Sequence, residues 1–142
     1  MTTGAEVVAA ARAHLGTPWA HQGRVPGLAL DCAGLVIMVA RSLGMVADDF
    51  DVNGYSRWPD GSMLDWCGRF MQRRDEIELG AVLVLATDHF PQHLGIVGDY
   101  AHGGWSLIHS TNAGHPARCI ETRLMFARSM QLRGIYRLPG VA

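Results

Sequence analysis

The period of apolar positions changes along the chain, and the elements follow from it. Val7, Val8, Ala11 and Leu15 recur at helical spacing behind Thr3-Gly4-Ala5-Glu6, which has the form of a capping box, and Gly16 supplies a stop. Residues 17–30 lose that period and carry Pro18, Gly23, Pro26 and Gly27, so they read as loop. Asp31 to Leu43 is apolar on nearly every side. Its Val36, Ile37 and Val39 suit a strand. Its length, Asp31 as a cap and Gly44 as a stop favour a helix lying deep against a sheet.

Residues 48–61 read as loop, with Tyr55, Trp58 and the turn Pro59-Asp60-Gly61. Ser62 and Asp65 form a weaker capping pattern, after which Met63, Cys67, Phe70 and Met71 share a helical face. The remainder is β. Ala81–Ala86 is an unbroken apolar run, as expected of a buried strand, and His93–Asp99 and Trp105–Ser110 flank the Gly103-Gly104 turn of a hairpin. Arg118–Thr122 and Leu132–Leu138 supply two more strands, and Arg123–Met130 is an ambiguous connector. Helices first and strands after predict one α+β domain over residues 1–142, an antiparallel sheet of about five strands with the helices on one side.

Composition narrows the function classes. The chain has 142 residues, 49% of them apolar, enough for a core without staples. Twelve basic against thirteen acidic residues give a net charge of -1, with no basic excess to suggest nucleic acid. No run approaches the ~20 apolar residues that span a bilayer, so no membrane insertion is expected. The start, MTTGAEVVAAARAHLG, lacks a basic opening and carries Glu6 and Arg12 in its apolar stretch, unlike a secretion signal. Three Cys without a CxxC pair make a disulfide framework or a thiolate zinc cage unexpected. No cofactor is implied. His89 and His93 beside Asp88 suggest a metal pair, but Pro91 breaks any helix aligning them, and no metal site is assigned.

The candidate chemistry begins at Cys32. At the first turn of a helix, unpaired N–H groups favour a thiolate and can hold the oxyanion of a tetrahedral intermediate. Ala33 and Gly34 leave room for a substrate backbone. On this segment alone, a thiol buried for packing is the commoner outcome. The histidines shift the balance. A cysteine nucleophile needs an imidazole base and a polar group to orient it. His93 opens one hairpin strand and His109 closes the next, so the two can be cross-strand partners at one sheet edge. His14 is expected in the first helix and exposed, and His21, His102 and His115 lie in loops. Cys67 and Cys119 read as structural.

These residues, in order, resemble a known pattern: Leu15-Gly16-Thr17-Pro18-Trp19, Leu30-Asp31-Cys32-Ala33-Gly34-Leu35-Val36, His93-Leu94-Gly95-Ile96-Val97 and Ile108-His109-Ser110. Over about residues 5–138 the chain resembles the NlpC-type cysteine peptidases, which have a compact papain-like fold. The resemblance implies Cys32 as nucleophile, His93 as general base and His109 as orienting residue. It also implies substrate contacts at Trp19, Asp31, Ala33 and Gly34, and bacterial peptidoglycan stem peptides as substrate. Ala33 stands where that family has serine, Trp19 where it has tyrosine, Ala81 where an aspartate is common, and Gln22-Gly23 where a Gly-Gly pair is usual. His21-Gln22-Gly23-Arg24 resembles a phage or phage-like tail subgroup. That implies tail-tip proteins as partners and location in the virion tail, or in the cytoplasm before assembly. Two other readings are an idle structural tail protein of the same fold, and an amidase or acyltransferase on another acyl substrate.

Overall fold

The computed structural model describes residues 1–52, 55, 62–87, 90–113, 116–126 and 130–142, without the side chains of 87 and 90–92. Helix α1 spans Gly4–Arg12, with Thr3 as its cap: the Glu6 amide donates to Thr3 Oγ1 at 3.2 Å. Val7, Val8 and Ala11 are buried as the spacing predicts, but the helix stops before Leu15, which is 42% exposed. The chain tightens after Arg12 through His14 N–H to Ala11 O and Leu15 N–H to Arg12 O, and Gly16 N–H then donates to Cys119 O. His14 therefore lies beyond the helix and is half-buried, not exposed, and burial pushes its pKa below the usual histidine value.

The segment expected to be plain loop contains a short hairpin, β1 (Arg24–Val25) and β2 (Ala29–Leu30). Its N-terminal arm is bridged on both sides, Pro18 to Arg118 and Trp19 to Leu30. Strands this short leave no alternation to read. Helix α2 (Cys32–Ser42) follows at once, and its β-branched residues are overruled by the Asp31 cap and by burial of Leu35 and Val39. Helix α3 (Ser62–Phe70) buries Met63 and Cys67, whereas Phe70 at its end is 39% exposed. Trp58 and the Pro59-Asp60-Gly61 turn lie outside the described residues.

The main sheet has six strands among the described residues: β3 (Gln72–Arg74), β4 (Val82–Thr87), β5 (Phe90–Asp99), β6 (Trp105–Thr111), β7 (Arg118–Arg123) and β8 (Gln131–Arg137). Their order is β3-β8-β4-β5-β6-β7, every pairing antiparallel. The sequence reading lacks β3, because Gln72-Arg73-Arg74 has no apolar alternation; it is an edge strand recruited by the backbone of β8. Strand β4 is apolar from Val82 to Ala86 because both faces of the sheet are covered. Val82 and Val84 join Ile96, Ile108 and Tyr136 beneath the helices. Leu83 and Leu85 join Val97, Leu107 and Ile135 in a second cluster, against which Ile77, Leu124, Met130 and Leu132 pack. Arg12 locks α1 to the sheet through Glu121 (2.8 Å) and Asp99 (2.9 Å). No described helix is long and apolar enough to cross a membrane.

Candidate active site

Asp31 is 3% exposed, and its backbone is extended while Oδ1 accepts the Gly34 amide at 2.8 Å. This cap sets Cys32 in the first turn of α2. The Cys32 thiol is 8% exposed. Burial and the neighbouring Asp31 charge push its pKa up, to about 12, against the pull of the backbone N–H groups of Leu94, Ala33 and Cys32. The lowered thiol expected from the helix end is therefore outweighed by desolvation.

The Leu94 contact locates the thiol relative to the sheet, because Leu94 follows His93. The pairing of β5 with β6 extends, among the described residues, to Ile96 opposite Ile108. Beyond it the strands are linked by side chains: His93 Nε2 lies 2.7 Å from His109 Nδ1, the rings nearly perpendicular at 74°. Continuing the register puts Gly95 opposite His109, so the imidazoles meet on a diagonal. A Cβ at Gly95 would crowd Leu107 and lie 3.4 Å from the His109 Cβ. Glycine there leaves His109 free to lean across to His93. Ser110 Oγ donates to Leu30 O at 2.7 Å, tying the end of β6 to the residues that lead into α2.

The His–His contact constrains the tautomers. If His93 Nε2–H donates to His109 Nδ1, then His93 Nδ1 keeps a lone pair and can accept a proton. The reverse arrangement uses that capacity up. In the productive case His109 carries its proton on Nε2, which faces Thr122 Oγ1 at 3.5 Å. Burial holds His93 neutral, its pKa down to about 3 with His109 adding to the effect, and burial lowers His109 to about 4.

The structure brings Cys32 next to the His93–Leu94 peptide, and His93 against His109. Trp19 is half-buried and bridges to Leu30, two residues before Cys32. Ala33 lines a cavity of about 170 Å³ shared with Ile37, Met63, Cys67 and Leu94. Gly34 faces the protein's own loop. A Cβ there would fall well inside contact distance of the Gly23 carbonyl oxygen and 3.0 Å from Arg24 Nη1. Gly34→Ala is expected to cost about 2 kcal/mol or more and to lower the melting temperature by several degrees; an unchanged melt would mean that the 22–24 segment yields freely.

Asp31 makes further contacts that sequence reasoning did not anticipate. Oδ1 also pairs with Arg24 Nη1 at 3.0 Å, and Oδ2 accepts from the Gln22 amide at 2.7 Å and from the Tyr55 hydroxyl. A buried carboxylate needs a cation, and that requirement points to Arg24 within the same segment. No comparable signal singles out Tyr55 or Thr122. Of the other histidines, His21 meets Tyr55 edge-on at 5.5 Å and His102 is exposed, while His89 and His115 lie outside the described residues. Among the described residues no cluster of three or more His, Cys, Asp or Glu is placed to hold a metal ion.

No protein-family model matches the chain. No curated protein matches it either. Solved structures do match. One is the crystal structure of the NlpC/p60 domain of the peptidoglycan hydrolase SagA, at 18% identity and a TM-score of 0.63 over 96% of this chain and 100% of that one.

The fold is that of an NlpC/p60 domain.

At that identity the likeness is one of backbone. Within the NlpC/p60 fold of this chain, the geometry above rests on its own residues: a capped helix carrying a thiol, and a strand pair whose ladder gives way to two joined imidazoles.

Proposed function

We propose that this protein is a cysteine peptidase that hydrolyses stem-peptide bonds of bacterial peptidoglycan. The observation that carries the reading is the joined pair His93–His109 beside the Leu94 amide that meets the Cys32 thiol. The NlpC/p60 domain of a peptidoglycan hydrolase, similar over nearly the whole chain, supports the substrate class. The segment His21-Gln22-Gly23-Arg24 supports a place in a phage or phage-like tail, where tail-tip proteins would be its neighbours and the cell wall its target.

The reaction starts from two neutral groups. His93 Nδ1 takes the thiol proton as the sulfur attacks the peptide carbonyl carbon, because burial disfavours a standing ion pair. The oxyanion that forms is held by the Cys32 N–H at the start of α2. Protonated His93 gives its proton to the departing amine, leaving a thioester on Cys32. Water then gives a proton to His93 and adds to the thioester, and the acid leaves as the thiol re-forms. His109 keeps His93 in the tautomer with a free Nδ1. As a neutral partner it stabilises the imidazolium less than a carboxylate would.

The test is incubation of the purified protein with peptidoglycan sacculi and soluble muropeptides, with the products identified by mass spectrometry. New amino and carboxyl ends within stem peptides are expected. Intact stem peptides after prolonged incubation with folded protein would overturn the reading. Transfer of the acyl group to an amine in place of water would move it to the acyltransferase class.

A further inference from the structure

The charge next to the thiol poses a problem that the fold solves in a specific way. A helix cap needs only an oxygen acceptor, and serine or asparagine would serve. Here the cap is a buried carboxylate directly before Cys32, and a negative neighbour opposes formation of a thiolate. Four donors converge on that carboxylate: the Gly34 and Gln22 amides, the Arg24 guanidinium and the Tyr55 hydroxyl.

Arg24 is itself fixed on every side. Nη1 also donates to Gly23 O (2.8 Å), Nη2 to Val52 O (2.7 Å) and to the Tyr55 hydroxyl oxygen (2.7 Å), and Nε to Asp51 (2.8 Å). Tyr55 is 6% exposed, and its carbonyl accepts from Gln22 Nε2 at 3.1 Å. Gln22 sits in the left-handed region at φ 57°, the one non-glycine described residue to do so. Residues 22–24, residues 31–34, and Asp51, Val52 and Tyr55 thus close around one carboxylate. A buried ion pair of this kind contributes little net stability, so its place beside the thiol calls for another reason.

We propose that Arg24 and Tyr55 are positioning residues for Cys32: by taking up the charge of Asp31 and pinning the first turn of α2, they make a carboxylate cap compatible with an ionising thiol. The inference rests on the reading of Cys32 as the reacting group. The other titratable or charged groups around this turn are His21 on the 17–30 segment, Asp51 on the following loop, His93 and His109 on the sheet, and Cys67 on α3. Arg24 is the cation that pairs with the carboxylate among the described residues, so its removal takes away that charge and leaves the hydrogen bonds from the Gly34 and Gln22 amides and Tyr55.

The experiment is the rate of iodoacetamide labelling of Cys32 against pH, with the labelled residue identified by mass spectrometry. It compares the unaltered protein with Tyr55→Phe, Arg24→Met and the double variant Arg24→Met/Asp31→Asn. Tyr55→Phe and Arg24→Met are expected to raise the labelling midpoint, Arg24→Met by about one pH unit. Asp31→Asn keeps a capping oxygen and removes the charge, so the double variant is expected to return the midpoint to that of the unaltered protein. A purely structural clamp would be damaged further by the second change. Midpoints unmoved in Tyr55→Phe and Arg24→Met, or a shift that survives Asp31→Asn, would overturn the proposal. If Arg24→Met does not fold, Tyr55→Phe is expected to raise the midpoint, and Tyr55→Phe/Asp31→Asn, which keeps the Arg24 charge, to bring it to or below that of the unaltered protein; a rise that survives Asp31→Asn overturns the proposal. Folded, unaltered protein whose Cys32 resists labelling at every pH would remove the nucleophile itself. Labelling at Cys32 with unmoved variants would remove only the present proposal.

Discussion

Replacing Cys32 with alanine is expected to lower stem-peptide hydrolysis by about 10⁴-fold or more while leaving the fold intact. Without sulfur there is no thioester route, and the neighbouring N–H groups can at most polarise a carbonyl. The structural cost is small because one sulfur is lost from a site that is 8% exposed, of the order of 1 kcal/mol. The Asp31 cap, the His93–His109 contact and the Ser110 tie to Leu30 use no atom of the thiol. Cys67→Ala is the matched control. Cys67 is also buried, on the inner face of α3, and burial pushes its thiol up to about 12. Activity is expected to survive in that variant. The check is muropeptide turnover and thermal melting of both variants side by side. Hydrolysis retained by the alanine variant at position 32 would remove the nucleophile assignment.

The second large effect is on stability in acid. Burial holds His93 near pKa 3 and His109 near 4 in the folded protein, whereas both titrate near 6.5 in an unfolded chain. Below about pH 6.5 the unfolded chain therefore binds protons that the native state refuses. Stability is fully present above that pH and falls as pH drops toward the folded values. Each imidazole contributes a slope of up to about 1.4 kcal/mol per pH unit. Half-buried His14 adds in the same direction. Glu78 and Glu121, lowered by hydrogen bonds to Arg137 and Arg12, contribute stability that is lost only further down, as acid protonates them. The window from about pH 6.5 to 4.5 thus isolates the histidines. Urea unfolding across that window should show the midpoint falling steadily, and His93→Gln should remove a large share of the slope. A flat profile, or the same slope in that variant, would mean that the imidazoles are solvated enough to charge in place.

Much of this was legible in the chain because it is local. The Thr3 and Asp31 caps, the apolar stripe of α1 and the uninterrupted apolar run of β4 each depend on neighbours within a few residues. The pattern placing Cys32 at a helix start, and His93 and His109 toward the facing ends of hairpin strands, depends on nothing more distant, although β5 begins earlier, at Phe90, and β6 runs on to Thr111. Short or polar pieces were not legible. β1 and β2 have two residues each, and β3 is Gln72-Arg73-Arg74; these are strands because a neighbouring backbone supplies partners. Leu15 broke a periodic stripe because the chain turned early to reach Cys119.

By itself, then, the sequence determined the α+β layout and the Asp31 cap that opens α2, and it singled out the thiol and the two imidazoles on which the proposed function rests. The tertiary structure decided three things. The imidazoles meet on a diagonal, because Gly95 leaves space for His109 to cross. Burial pushes the thiol pKa up and both imidazole pKa values down, outweighing the pull of the helix end. The Asp31 carboxylate is bound by Arg24 and Tyr55, residues 7 and 24 positions away. All three depend on desolvation and on contacts between distant segments, and those come into being only when the chain closes on itself.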